Sequence, residues 1–268
     1  MITLYRSQEE MKKPLLLIVT FLLGLSNFAE AQKTKPEETE VWTPIPLEVT
    51  PGKTSINPPS DAIILFDGKN LDQWTSVNIP DAPAGWTVSS NVITVNKSAG
   101  NIQTKRSFGN YQLHIEWKIP KNISEEGQSK GNSGIFLAST GPGDDGYELQ
   151  ILDSYKNKTY VNGQTGSIYK QTSPLANASK KPGEWQSYDV AWKAPVFNTD
   201  GSVKTPAYVT VFHNGVLIQN NTELMGPTRY IGKASYNKAH GPSPIKLQSH
   251  GDPSEPISFR NIWIRELN

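Results

Sequence analysis

Asn132-Ser133-Gly134-Ile135-Phe136-Leu137, followed after a Gly/Asp turn by Tyr147-Glu148-Leu149-Gln150-Ile151-Leu152-Asp153, decides how this chain reads. In an extended strand successive side chains point to opposite faces. Tyr147, Leu149 and Ile151 therefore share one face, and Glu148 and Gln150 the other. Ile245-Lys246-Leu247-Gln248-Ser249-His250-Gly251 repeats the pattern, with Ile245 and Leu247 opposed to Lys246, Gln248 and His250. A sheet with one apolar face and one face of carboxylate, carboxamide and imidazole groups suits a hydroxyl-rich ligand. These two segments are the expected site.

Outward from them, the chain beyond Ile63 shows no helical period. Short alternating runs are separated by Gly, Pro, Asn and Asp clusters, the signature of an all-β chain. Predicted strands include Ile63–Phe66, Tyr111–Lys118, Gly134–Ser139, Tyr147–Leu152, Gly166–Tyr169, Val216–Gln219 and Ile245–Ser249. Asn214-Gly215 between two such runs is a strong hairpin signal, and Ser90-Asn91 is a weaker one. Many short antiparallel strands with no helical layer must pack sheet on sheet. The expected fold is an antiparallel β-sandwich, a concanavalin-like jelly roll.

Met11-Lys12-Lys13, the apolar run Pro14 to Leu25, and Ala29-Glu30-Ala31 read as a signal peptide over residues 1–31, cleaved before Gln32. The run falls short of the roughly 18–20 apolar residues that span a bilayer, so a periplasmic or secreted protein is expected. Residues 32–60, rich in Pro, Thr and charge, read as a flexible tail. Residues 61–268 read as one jelly-roll domain. The absence of cysteine excludes disulfides, thiolate metal sites and a thiol nucleophile. With 26 basic and 25 acidic residues, net charge +1, there is no electrostatic case for nucleic acid or an anionic membrane as partner. Seven tryptophans and ten tyrosines can serve sugar stacking, although core packing claims most such rings.

Leu65–Trp74, Asn132–Leu137, Tyr147–Asp153, Thr165–Tyr169, Pro182–Val190, the His213–Val216 turn, Pro244–Gly251 and Phe259–Leu267 occur in an order that resembles the 3-keto-disaccharide hydrolase domain family, once a family of unknown function. Two departures stand out. Ser249 stands where relatives more often carry Asp, and the segment from Pro195 to Pro206 is longer than a tight turn. The resemblance implies a carbohydrate substrate already oxidised to a ketone at C3, made by an upstream oxidoreductase. The ketone acidifies the C2 proton, so a base removes it, the C1 substituent leaves by elimination, and water adds back. That chemistry needs a base, an acid and a group to stabilise the enolate.

On this reading Glu148 and His250 are the acid/base pair. Gln150, Gln248 and Lys246 position substrate, and Lys246 also faces the enolate oxygen. His114 and Glu116 share a strand face and join as substrate-binding groups, with Asn132 and Ser133 at the rim and Arg260 as a clamp. Each has a bland rival: a solvated carboxylate, a capping histidine, a surface ion pair. Asp153 is a candidate metal ligand. The Gly143-Asp144-Asp145-Gly146 turn offers oxygen ligands to a divalent cation such as calcium, without the spacing of a dedicated loop. His213 is expected on the surface of its hairpin, and His240 in a loop. Two other readings remain: a non-catalytic carbohydrate-binding module, and a two-carboxylate glycosidase, which the lack of an acid-rich strand disfavours.

Overall fold

The computed structural model describes residues 35–267, so the expected signal peptide and its cleavage point lie outside the described residues. In chain order the strands are β1 Ile63–Phe66, β2 Trp74–Ser76, β3 Thr87–Ser89, β4 Val92–Thr94, β5 Ile102–Thr104, β6 Tyr111–Lys118, β7 Ser133–Ser139 and β8 Gly146–Ile151. They continue with β9 Gln186–Lys193, β10 Val196–Phe197, β11 Val203–Thr205, β12 Tyr208–His213, β13 Val216–Glu223, β14 Lys246–Leu247 and β15 Ser258–Glu266. One sheet runs β13-β12-β9-β6-β15-β4-β3, with β1 also paired to β15; the other runs β2-β5-β14-β7-β8. All pairings are antiparallel, and the two sheets form the expected all-β jelly-roll sandwich.

The alternation read from the sequence builds the core. Leu113, Ile115, Trp117, Tyr188, Val190, Trp192 and Val211 from one sheet and Ile135, Leu137, Tyr147, Leu149, Ile151 and Leu247 from the other join a single buried cluster. Two tyrosine hydroxyls link the sheets across it. Tyr111 donates to the Leu137 carbonyl at 2.6 Å and Tyr188 to the Gln150 carbonyl at 2.8 Å. Both expected hairpins form: Asn214 and Gly215 have φ of 51° and 82°, Ser90 and Asn91 of 50° and 63°, as a two-residue turn with positive φ at both positions requires.

The departures have local causes. Gly166–Tyr169 is not a strand but carries backbone bonds to the β8 edge, described below. The predicted Ile245–Ser249 strand shortens to Lys246–Leu247, and β13 runs on to Glu223. Trp74–Ser76 is a strand that its mixed polarity hid. The long Pro195–Pro206 segment is the β10–β11 hairpin. The 32–60 lead-in also divides. Residues 35–47 belong to a first unit, with one 3-10 turn at Pro36–Thr39, while Glu48 onward belongs to the sandwich unit. Within that unit the Ile56 carbonyl accepts from Asn261 Nδ2 and Trp263 Nε1, and Arg265 pairs with Asp61. No helix among the described residues is long and apolar enough to cross a membrane.

Candidate active site

Register explains why a polar face exists on the β14-β7-β8 side of the sandwich. Gly134 of β7 stands opposite Gln150 of β8, and the Gln248 N–H bonds the Gly134 carbonyl at 2.9 Å. Phe136 stands between Lys246 and Glu148. Glu148, Gln150, Lys246 and Gln248 thus project from one face, while Ile135, Leu149 and Leu247 form the row beneath. The edge of β8 is closed by two loops. The Gln150 and Tyr169 N–H groups bond the Ser167 and Glu148 carbonyls at 2.9 and 3.1 Å, and the Thr228 N–H bonds the Gly146 carbonyl at 2.7 Å. These loops wall a cavity of about 430 Å³. Glu148, Gln150, Gln248, His250 and Asn132 line it, with Asp144 and Asp145 on one side and Tyr169, Thr228, Arg229, Tyr230 and Ile231 on the other.

Glu148 is the electrostatic centre. Its carboxyl lies over the bare backbone of Gly134, where an added Cβ would come within 2.5 Å of Oε1. Burial raises its pKa, the Asp144 carboxylate raises it further, and the Lys246 ammonium offsets part of the rise, leaving it at about 8. At neutral pH it is therefore mostly a protonated acid. Gly134→Ala is expected to push this carboxyl aside, because the atom it meets is the far end of a side chain rather than backbone. Turnover should fall about tenfold or more with the fold retained, as steady-state kinetics and circular dichroism would show.

The neighbours complete the floor. Gln150 Nε2 donates to Asn132 Oδ1 at 3.0 Å, and Asn132 Nδ2 to the Gln128 carbonyl at 2.8 Å. Oε1 of Gln150 and Oε1 of Gln248 are both buried without a donor. A buried acceptor left unpaired calls for a partner, and hydroxyl-bearing ligands supply one. His250 Nδ1 lies 3.0 Å from Asp252 Oδ2. Burial opposes the Asp252 charge, but hydrogen bonds from His250 and Ser254 outweigh it and lower the pKa. Lys97 Nζ stands 3.5 Å from that carboxylate. The Asp252 N–H also approaches Nδ1, at 3.1 Å, but the ionised carboxylate is the stronger partner and favours the proton on Nδ1, which leaves Nε2 as a proton acceptor.

Several expected site residues are elsewhere or otherwise engaged. Lys246 is a correction: its Nζ donates to the carbonyls of Gly141, Gly143 and Asp145 at 3.0, 2.8 and 3.0 Å. It holds the turn from below and does not reach the cavity. The same contacts argue against calcium in that turn, since the carbonyls a cation would need already face an ammonium. Asp153 pairs with Lys130 at 3.2 Å and accepts the Tyr155 N–H. Among the described residues no group of three or more His, Asp or Glu side chains is arranged to hold a metal. Ser133 falls on the Ile151 side of the sheet, its hydroxyl bonded to the Gln248 carbonyl at 2.8 Å.

His114, Glu116 and Arg260 do come together, but on the other sheet. His114 Nδ1 meets Asp189 at 2.7 Å, Glu116 pairs with Arg260 at 2.6 Å and accepts from Asn261, and His114 stacks on Trp263. They form a structural ion network. Burial opposes the charge on His114, yet Asp189 and Glu116 raise its pKa to about 9. The stability this gives is fully present below the unfolded pKa of 6.5 and is lost as pH rises through about 9. His114→Gln should therefore lower the thermal midpoint more at pH 6 than at pH 10, read by unfolding scans at both. His213, expected at the surface, is buried between Trp117 and Tyr188, and its Nε2–H donates to Gln186 Oε1 at 2.9 Å; burial drops its pKa to about 3. His240 is in its loop, bonded to the Tyr147 hydroxyl at 2.8 Å.

Asp252, Tyr169 and the 228–231 wall were not foreseen. The His-x-Asp spacing at 250–252 was a readable signal for the first. The wall has no periodicity to reveal it. A family profile described as a 3-keto-alpha-glucoside-1,2-lyase-like domain matches residues 61–265. A 3-keto-disaccharide hydrolase of Bacteroides thetaiotaomicron is 25% identical over 257 residues, covering 80% of this chain and 82% of its own length. A crystal structure from Parabacteroides distasonis ATCC 8503, provisionally named a glycosyl hydrolase, superposes with a TM-score of 0.80 at 55% identity, covering 87% of this chain and 97% of its own. A second from that organism, with the same provisional name, superposes at 0.54 with 22% identity, covering 77% and 94%, and shares the fold.

Proposed function

The chain belongs to the 3-keto-alpha-glucoside-1,2-lyase-like domain family, and from that premise we propose that it cleaves glycosides carrying a ketone at C3, by elimination and hydration. The observation that carries this reading is the convergence of Glu148 and His250, far apart in sequence, on one cavity. One is a buried carboxyl that keeps its proton at neutral pH, the other an imidazole oriented by a carboxylate. A buried carboxyl that holds its proton and an imidazole held by a carboxylate are suited to act as acid and base.

His250 Nε2 removes the C2 proton, and the electron pair forms the C1–C2 double bond as the C1–O bond breaks. Glu148 gives its proton to the departing oxygen. The products are an unsaturated 3-keto sugar and an alcohol. Glu148, now a carboxylate, takes a proton from water as the water oxygen bonds C1, and the partly exposed imidazolium, after exchanging its proton with solvent, returns a solvent-derived proton to C2. The sum is hydrolysis. Gln150 and Gln248 line the cavity and offer their carboxamides to ring hydroxyls.

The reading also includes an upstream oxidoreductase that makes the ketone, and export through the leader at residues 1–31; the mature chain is expected in the periplasmic or culture fraction on fractionation. The chemistry is tested by running the reaction in deuterium oxide and following C2 by NMR from the first turnover. Elimination and hydration place deuterium at C2 of the released 3-keto sugar at the rate of cleavage. Release of a C2-protonated sugar would instead indicate direct displacement by two carboxylates. Because Glu148 acts as an acid, kcat/KM is expected to fall as pH rises through about 8.

A further inference from the structure

Beside the Glu148 cavity, Tyr230 and Ile231 are 72% and 84% exposed although they line its mouth, next to the ring of Tyr169. Single exposed apolar residues are ordinary. This group is different because it is contiguous with a cavity and is held in place. Lys170 Nζ sits 4.0 Å from the Tyr230 ring centre and donates to the Tyr230 carbonyl at 2.7 Å. It also stands 5.8 Å from the rings of both Tyr160 and Tyr169, whose hydroxyls bond each other at 2.6 Å. Gln171 braces the two loops, accepting from the Met225 N–H at 2.8 Å and donating to the Gly226 carbonyl at 3.0 Å. Lys170 covers one face of the Tyr230 ring and braces it beside Tyr160 and Tyr169, which leaves the other face to a ligand and lowers the entropic cost of ordering it.

We propose that Tyr169, Tyr230 and Ile231 form the subsite for the leaving group, and that this leaving group carries a ring with a flat apolar face. The inference rests on the function proposed above. A sugar whose C2 proton and glycosidic oxygen meet His250 and Glu148 fills the floor, so its C1 substituent points to the mouth, where these three side chains wait. Tyrosine offers an apolar face with a polar tip. A second sugar, through its C–H face, and an aryl group both match it, whereas a methyl group leaves the platform bare.

The test measures binding of methyl, phenyl and glucosyl glucosides, each unoxidised and as the 3-keto form. The unoxidised series is titrated calorimetrically into the full chain, and the 3-keto series into Glu148→Gln to prevent turnover. Tyr230→Ala and Tyr230→Phe are then compared in both backgrounds. Ring-bearing ligands are expected to bind about tenfold tighter than methyl. Tyr230→Ala should remove most of that gap and Tyr230→Phe retain it. A gain with phenyl alone assigns the subsite to aryl groups, and one with the disaccharide alone to a second sugar. Equal binding across both series, no binding in either, or a gap unchanged in Tyr230→Ala would overturn the proposal. Cleavage of 3-keto-glycosides without a ring preference would sink the subsite and leave the function standing; a ring preference without any cleavage would do the reverse.

Discussion

Glu148→Gln is expected to lower turnover of a 3-keto-glucoside by about 10²–10⁴-fold, the range for loss of a positioned proton donor, while the chain stays folded. Glutamine keeps the volume over Gly134 and the same polar end, but it has no proton to give. The same substitution carries a second signature, which reads the protonation state of the carboxyl directly. The carboxyl has a folded pKa of about 8 against an ordinary value of 4.5, so the folded state holds its proton more tightly than the unfolded chain does. As pH rises from 4.5 the unfolded state ionises first, and this group progressively disfavours folding until pH passes about 8. The thermal midpoint of Glu148→Gln relative to the parent should therefore rise between pH 5 and pH 9. A difference flat with pH would mean that the carboxyl is not held as an acid.

Lys246→Met should cost stability rather than chemistry. Three backbone carbonyls, of Gly141, Gly143 and Asp145, lose their donor at once, inside a face where Lys246 is fully buried. Leaving buried acceptors unpaired costs about 1–3 kcal/mol each, partly recovered where water enters, so a net loss of about 3 kcal/mol is expected. Chemical denaturation would show it as a shift in midpoint with little change in slope. Because this turn presents Asp144 and Asp145 to the cavity, KM should rise more than kcat falls. A large fall in kcat with stability intact would return Lys246 to the enolate oxygen.

These two residues show how far the sequence reaches. Period-two alternation placed Glu148, Gln150, Lys246, Gln248 and His250 on one face; the register agrees for the first three, and the Gln248–Gly134 backbone bond for the fourth. It could not say how far each side chain extends. Lys246 is long enough to pass under the 141–145 turn, and three carbonyls there outcompete the cavity for its ammonium. His114 and Glu116 were grouped correctly with each other but joined to a site that lies on the other sheet, because alternation gives a face and not the partner strand. His213 looked like a hairpin surface residue. The stacking surfaces of Trp117 and Tyr188 that bury it come from β6 and β9, remote in sequence. Gly134 carried the clearest unread signal: a glycine within an apolar strand often marks a close approach, and here what approaches is the Glu148 carboxyl.

The measurement that tests the account most directly follows sugar release from a 3-keto-glucoside and from its unoxidised parent, using the wild-type chain and the Glu148→Gln and His250→Ala variants. Turnover of the keto substrate alone is expected, lost in both variants while their circular dichroism is unchanged. Turnover of the unoxidised parent at a comparable rate would contradict it and favour a two-carboxylate glycosidase. Saturable binding with no release from either substrate would make the cavity a sugar-binding site without catalysis.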